Sequence, residues 1–239
     1  ELESKYKNLK CVLSKSNLGM GAGNNIGIAK TRKEIIYHAG KSRFCLYDDD
    51  VKFYRRNIKY LMKENWVEDI FSSDMVERGH KKNPSKRPMD KDDFGEMVEI
   101  FDTWMDNENI IQIGYRSAML PPSWHLYTDF TDLYTGYMIN GAEVSKFRDE
   151  INWTFVEVGE DSMMSLEFLL RGYKIRRSEL FCIQPKWWQE GGCDAMGRNA
   201  KLHNEEHKKL MKKYPKYVYF KGEVDRPRIG KIDDYRYRW

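Results

Sequence analysis

The sequence predicts a single α/β domain in which helices flank a mixed, mostly parallel sheet. Two observations predict this class. Short apolar segments alternate with helical patterns along most of the chain, and one of these segments ends in a run of acids, as a buried parallel strand with a polar carboxyl end does. A chain of 239 residues is long enough to bury one substantial core, so we expect one domain over residues 1–239.

The first half of the chain predicts a strand, a helix and a second strand in succession. Residues 10–13 form a short apolar segment, and the glycine- and asparagine-rich residues 17–27 form a loop. In residues 28–39 the apolar side chains recur on one helical face. Residues 43–47 are a buried strand, and it ends at the three aspartates 48–50.

The middle of the chain predicts a basic loop followed by a helix and two strands. Residues 78–93 are polar and contain two prolines, from which we expect a mobile loop. A helix is expected over residues 94–105, and strands over 110–113 and 134–139.

The last part predicts a helix, a strand and a basic helix. The acids Glu160 and Asp161 precede a helical pattern, and Gly172 lies where a C-terminal cap belongs. A strand is expected over residues 180–183 and a helix over 201–213.

Composition and charge exclude several classes of protein. Hydrophobic residues make up 41% and charged residues 33% of the chain, which is typical of globular proteins that fold in water. The longest apolar runs are too short to cross a bilayer, and the N-terminus lacks a signal-peptide stretch, so a cytoplasmic location is expected. Four cysteines occur without a CxxC pair, which predicts reduced thiols and no zinc site.

The three consecutive acids Asp48, Asp49 and Asp50 predict a cation site. Their mutual repulsion after a buried strand is costly unless a cation or hydrogen-bond donors lie nearby. Alternate residues of an extended segment face the same side, so Asp48 and Asp50 act together while Asp49 points away. Two carboxylates with substrate phosphates are a typical setting for Mg²⁺ or Mn²⁺. The alternative is an acidic turn that caps a neighbouring helix.

These motifs carry a family resemblance. The segment IGIAKTRKEIIYHAGKSRFCLYDDDV resembles the DxD region of GT-A glycosyltransferases, whose fold is Rossmann-like, and GEDSMMSLEFLLRGYKI resembles that fold's acidic acceptor-side motif. With WWQEGGCDAMGRN, the set is most similar to phage glycosyltransferases associated with TET/JBP-type hydroxylases, which glycosylate hydroxymethylpyrimidines in DNA. The resemblance covers residues 10–199. GT-A proteins usually open with a strand and loop that hold the nucleotide base, and few residues precede Lys10. Either that piece lies before Glu1, or the correspondence is shifted along the chain.

The resemblance implies a metal and a nucleotide-sugar donor in the first half of the chain, about residues 1–110. Asp48 and Asp50 would hold Mn²⁺ or Mg²⁺, with Asp48 near the donor ribose, and the metal would neutralise the leaving diphosphate. His203 would be a late metal ligand, although His207 one helical turn away fits the spacing equally well. The contacts to the UDP-sugar would come from Gly27, Arg32, Asp48 and Asp49.

The acceptor side is expected in the second half, about residues 111–213, followed by a tail over 214–239. Asp161 would be the general base that takes the proton of the attacking hydroxyl, with Glu160 as the alternative. A helix N-cap is the other interpretation of Asp161. The loop after the last predicted strand would hold an extruded base of the DNA. Its predicted contacts are Trp187, Trp188, Gly191, Gly192 and Arg198.

Clusters of basic residues would follow a DNA backbone if they share a face. Individually, each cluster is more typical of a solvated surface, and the net charge of +4 alone does not indicate nucleic-acid binding. The sequence thus favours transfer of a sugar from a UDP-sugar to 5-hydroxymethylcytosine or 5-hydroxymethyluracil in DNA. The alternatives are a glycan or protein acceptor, a metal-dependent nuclease or phosphodiesterase, and a DNA-binding module without catalysis. The basic residues concerned are Lys81, Lys82, Lys86, Arg87, Lys174, Arg176, Arg177, Lys208, Lys209, Lys212 and Lys213.

Overall fold

A central sheet with helices packed against it dominates the computed structural model of the chain. The described residues are 9–10, 28–47, 51–57, 86–120, 125–131, 133, 135–184, 199–226 and 230–238. Their helices are α1 (Ile28–Ala39), α2 (Lys91–Asn107), α3 (Gly141–Val144), α4 (Glu160–Leu170) and α5 (Ala200–Lys213), with a 3₁₀ turn at Arg148–Glu150. Their strands are β1 (Leu9–Lys10), β2 (Arg43–Tyr47), β3 (Lys52–Arg56), β4 (Lys86–Pro88), β5 (Ile110–Ser117), β6 (Tyr127–Asp129), β7 (Gly136–Asn140), β8 (Lys174–Gln184), β9 (Val218–Arg226) and β10 (Gly230–Tyr237).

The sheet of the described residues has eight strands in the order β1-β2-β7-β5-β8-β3-β4, with β6 also paired to β8. The pairs β1/β2 and β5/β8 are parallel, and the other pairs are antiparallel. Strands β1, β2, β4, β5 and β8 therefore run in one direction and β3, β6 and β7 in the other. The prediction of a mixed α/β sheet is confirmed, and the arrangement is compatible with a Rossmann-like fold.

The two faces of the sheet bury different helices. On one face, Met97 and Phe101 of α2 pack against Ile113 and Phe181. On the other face, α1 and α4 contribute to a cluster around Tyr137. A third cluster joins α5 to the hairpin of β9 and β10, which follows it. These apolar contacts hold α1 and α4 side by side on one face of the sheet, and this position matters for the site.

Two predicted elements have the same bounds in the structure, and one predicted loop was partly wrong. Helix α1 and strand β2 begin and end where the sequence predicted. The predicted mobile loop over residues 78–93 is wrong in its second half, because β4 lies at Lys86–Pro88 and α2 begins at Lys91. Antiparallel pairing of β4 with β3 fixes this stretch in the sheet. Within the described residues, the structure has no helix with the length and apolar character needed to cross a membrane.

Candidate active site

One edge of the sheet collects the ends of the strands that precede the predicted motifs. Tyr47 at the end of β2 pairs with Gly136 at the start of β7, and Ser117 at the end of β5 pairs with Ile183 near the end of β8. In open α/β sheets, ligands bind outside the carboxyl ends of the strands. The acid triplet follows β2 in the sequence, and the predicted acceptor loop follows β8.

Nine of the predicted site residues, including all those of these two motifs, lie outside the described residues. For these positions the sequence-based interpretation stays a prediction. They are Gly27, Asp48, Asp49, Asp50, Trp187, Trp188, Gly191, Gly192 and Arg198.

Three of the predicted site residues that the structure describes lie together beside this edge. Nη1 of Arg32 in α1 donates to Oε1 of Glu160 at 2.7 Å and forms an ion pair with Oδ1 of Asp161. The hydroxyl of Tyr137 in β7 donates to the same Oδ1 of Asp161 at 2.6 Å. The guanidinium of Arg32 also lies 5.8 Å from the centre of the Tyr137 ring. Arg32 and Asp161 are far apart in the sequence, so the fold creates this cluster.

Local backbone geometry aims the two carboxylates at Arg32. Gly159 takes the N-cap position of α4 with φ 85°, a left-handed conformation that glycine adopts without steric cost. Glycine has no side chain that could cap the helix, and Glu160 and Asp161 follow in the first turn. Asp161 is therefore not the N-cap, and that alternative interpretation was wrong. Both acids gain from the positive end of the helix dipole.

The register of the sheet places Tyr137 beside the last residues of β2. Tyr137 is the partner of Leu46, the second-to-last residue of β2. Sequence reasoning assigned the strand that contains Tyr137 but gave its hydroxyl no role. The available signal was a tyrosine in a buried strand, because a buried tyrosine hydroxyl usually finds a hydrogen-bond partner.

Among the residues that the structure describes, this cluster has one cation and two acids, and their side chains are largely shielded from water. The exposed fractions of the Arg32, Glu160 and Asp161 side chains are 15%, 12% and 16%. Within the described residues, Oδ2 of Asp161 accepts no hydrogen bond, and both contacts of this side chain go to Oδ1. The arrangement can thus hold Asp161 in position through its Oδ1.

The predicted metal ligand His203 does not join this cluster. Its ring is buried and stacks on His207 at 4.1 Å, and His207 in turn stacks on Tyr235 of the hairpin. Nδ1 of His207 donates to the carbonyl of His203 at 2.9 Å, which leaves Nε2 without the ring proton in the neutral form. A methyl group on Gly159 would lie 3.3 Å from this Nε2. His207 therefore lies next to Gly159, the residue that precedes Glu160 and Asp161.

A metal site is not assembled by the part of the chain that the structure describes. No three His, Cys, Asp or Glu side chains are grouped there in a way that could hold an ion. The carboxylates of Asp48 and Asp50, which are hard oxygen ligands suited to Mg²⁺ or Mn²⁺, are outside this part.

Two of the basic residues that the sequence offered for a DNA surface have structural roles. Arg87 is buried in an ion pair with Asp93. Arg176, fully buried, donates to Asp129 and Glu108, and these two acids raise its pKa although burial alone would lower it. These arginines stabilise the sheet and its helix, and they do not form a phosphate-binding surface.

Comparison of the chain with protein-family models, with curated proteins and with solved structures finds no match.

Proposed function

We propose that the protein is a metal-dependent glycosyltransferase of the GT-A type that transfers a sugar from a UDP-sugar to the hydroxyl of a 5-hydroxymethylpyrimidine in DNA, with 5-hydroxymethylcytosine the favoured acceptor. The observation that carries the proposal is the position of Asp161. Tyr137 and Arg32 hold this carboxylate beside the strand that leads into the acid triplet.

The chemistry of transfer requires a group like Asp161. An acceptor hydroxyl must lose a proton as it attacks the anomeric carbon, and a carboxylate within hydrogen-bond reach can take that proton. The hydroxyl of Tyr137 and the guanidinium of Arg32 fix the orientation of the side chain. Glu160 shares Arg32 and is the second candidate for the base.

The donor side of the proposal rests on the sequence. Asp48 and Asp50 would hold the Mn²⁺ or Mg²⁺, which would neutralise charge on the leaving diphosphate. Strand β2 ends with Tyr47 at the sheet edge where α/β folds bind ligands, and this position supports the proposal for the donor side. The DNA acceptor rests on the resemblance of the motifs to phage DNA glycosyltransferases.

Mass spectrometry of nucleosides tests the proposal. DNA that contains 5-hydroxymethylcytosine or 5-hydroxymethyluracil is incubated with Mn²⁺, a panel of UDP-sugars and the protein, then digested to nucleosides. We expect a hexose-sized mass gain, lost in Asp50→Ala and reduced by at least about 100-fold in Asp161→Asn, since general-base catalysis contributes about 10²–10⁴-fold. Asp149→Asn is the matched control, because Asp149 also accepts a tyrosine hydroxyl at 2.6 Å, from Tyr37, away from the site.

The outcomes separate the alternatives. UDP release without a modified nucleoside would keep the transferase and remove the DNA acceptor, leaving a glycan or protein acceptor. DNA cleavage without a sugar donor would indicate a nuclease. If Asp161→Asn and Asp149→Asn were equally active, Asp161 would not be the base.

A further inference from the structure

Two arginines on the sheet share a single buried carboxylate. Nη2 of Arg177 lies 3.0 Å from Oε1 of Glu179, and Nη1 of Arg116 lies 3.0 Å from its Oε2. Glu179 is completely buried and also accepts from Thr128 at 2.9 Å. Nε of Arg116 is buried and has no hydrogen-bond partner within the described residues. One negative charge therefore balances two positive charges, and the cluster keeps a net positive charge.

This arginine pair lies on the same face of the sheet as the candidate base. Tyr137 pairs with Gly114, and Gly114 pairs with Arg177, so the three residues form one row across β7, β5 and β8. Directly paired residues point to the same face of a sheet. Neighbouring strands are about 4.8 Å apart, so the Cα atoms of Tyr137 and Arg177 are about 10 Å apart. Gly114 contributes no side chain between them, and Leu133 packs over it.

An exposed aromatic residue, Phe130, directly precedes a partner of Arg177 in the chain. Phe130 is 50% exposed, and its φ of 53° is a left-handed conformation that is rare for a bulky residue. Its two neighbours in the chain hold it there. Asp129 binds Arg176, and Thr131 accepts from Nη1 of Arg177 at 3.1 Å. Backbone conformations of this kind cost free energy and cluster at functional sites.

We propose that Arg116 and Arg177 bind a phosphodiester of the DNA acceptor and that Phe130 stacks against an unpaired base next to it. A bidentate guanidinium is suited to phosphate, and aromatic side chains stack on bases that have left the helix. The inference rests on the proposed function, because it assigns the pair to the acceptor of that same site.

The strand order favours the acceptor over the donor as the source of the phosphate. Strand β2, which precedes Asp48 and Asp49 in the sequence, lies on one side of β7, whereas the arginine pair lies on β5 and β8 on the other side. Tyr137, which holds Asp161, lies between the two. An acceptor hydroxyl at Asp161 can thus face the donor while the rest of the DNA extends toward Arg177.

Arg116→Gln tests the phosphate contact with little risk to the fold, because Glu179 keeps Arg177 as its partner. Binding of a short single-stranded oligonucleotide with one 5-hydroxymethylcytosine is measured by fluorescence anisotropy at several salt concentrations. We expect weaker binding and a salt slope lower by about 0.7, the value for one phosphate contact on a single strand. Lys231→Gln on the hairpin is the control, because it also removes one positive charge, from a surface ion pair.

Phe130→Leu tests the stacking contact. We expect this substitution to weaken oligonucleotide binding about fivefold or more, because it removes a stacking contact with a base. The salt slope should be unchanged, because the substitution removes no charge. Tyr217→Leu, at an exposed aromatic outside this face, is the matched control. Equal effects of the two substitutions would overturn the role of Phe130.

The binding assay needs neither donor nor metal, so its result is independent of sugar transfer. If Arg116→Gln behaves like Lys231→Gln, or if it weakens binding of UDP with Mn²⁺ in place of the oligonucleotide, the inference fails even when transfer to DNA is observed. If the oligonucleotide binds through Arg116 and no sugar is transferred, the surface is supported and the proposed function fails.

Discussion

Asp93 is the buried acid whose loss we expect to cost the most stability among the ion pairs of α2. It is 1% exposed and caps α2 through a hydrogen bond from the Asp90 backbone at 2.9 Å. Its Oδ1 accepts from Arg55 at 2.9 Å and from Arg87 at 2.6 Å. One side chain thus joins the helix to both β3 and β4.

The substitution Asp93→Asn leaves the volume of the side chain unchanged and removes the charge. The two arginines are themselves buried, so in the variant their charges would remain with one acidic partner fewer. Breaking a buried ion pair in this way costs about 3–5 kcal/mol of stability. We expect a lower urea midpoint with an unchanged slope. Asp92→Asn is the matched control, because Asp92 is an exposed acid in the same helical turn, worth about 0.3–1 kcal/mol through the helix dipole.

The pH dependence gives a second readout. Burial raises the pKa of Asp93, but hydrogen bonds from Arg87, the Asp90 backbone and Arg55 outweigh it and hold the pKa below the ordinary value of 3.8. A lowered pKa stabilises the folded state above that ordinary value, and this contribution is lost as the pH falls through the folded-state pKa. The difference between the wild-type protein and Asp93→Asn should therefore be largest at neutral pH and shrink below pH 3.8.

A neutral-pH cost for Asp93→Asn within about 1 kcal/mol of that for Asp92→Asn would refute the reasoning, because a buried pair should cost several times more than a surface charge. A difference that stays constant into acid would also contradict it. In that case the effect would come from packing or capping, and charge would not be the cause.

Three further predictions concern other buried sites. Gly159→Ala should lower the free energy of unfolding by more than Gly172→Ala. Both glycines have a left-handed backbone, which costs an alanine about 1–2 kcal/mol. Only the methyl group at position 159 would also contact a neighbour, Leu210 at 3.1 Å. Burial raises the pKa of the Cys182 thiol to about 11, so mass spectrometry should find it unmodified by iodoacetamide in the folded protein at neutral pH and modified after unfolding in urea. Arg176→Lys should lower the thermal midpoint although the charge is kept, because an ammonium cannot reproduce two bidentate contacts; a midpoint equal to that of the wild type would show that charge alone suffices.

The elements with local apolar patterns were predictable from the sequence. The bounds of α1 and β2 follow from periodicity and from the acids that end the strand. Helix α2 begins three residues before the predicted residue 94, because the structure places a capping box at Asp90 and Asp93 ahead of the first apolar residue. The capping residues are polar, so an apolar pattern alone does not include them.

Strand β8 was predicted only in its apolar half, at residues 180–183. Its first half contains Arg176 and Glu179, which are charged but fully buried in ion pairs with residues distant in the sequence. A polarity pattern cannot distinguish such a strand from a loop, because the partners that offset the burial of charge come from β5, β6 and the end of α2.

The site shows the same division between local and non-local information. The sequence placed Asp161 near a helix N-terminus but could not choose between a capping residue and a base, because both roles suit an acid in that position. In the structure Asp161 is not the N-cap, because Gly159 occupies that position in a left-handed conformation. It then directs the carboxylate to Tyr137 and Arg32, neither of which is near it in the sequence. An aspartate that caps a helix accepts hydrogen bonds from backbone N–H groups, whereas the described contacts of Asp161 are with the side chains of Tyr137 and Arg32.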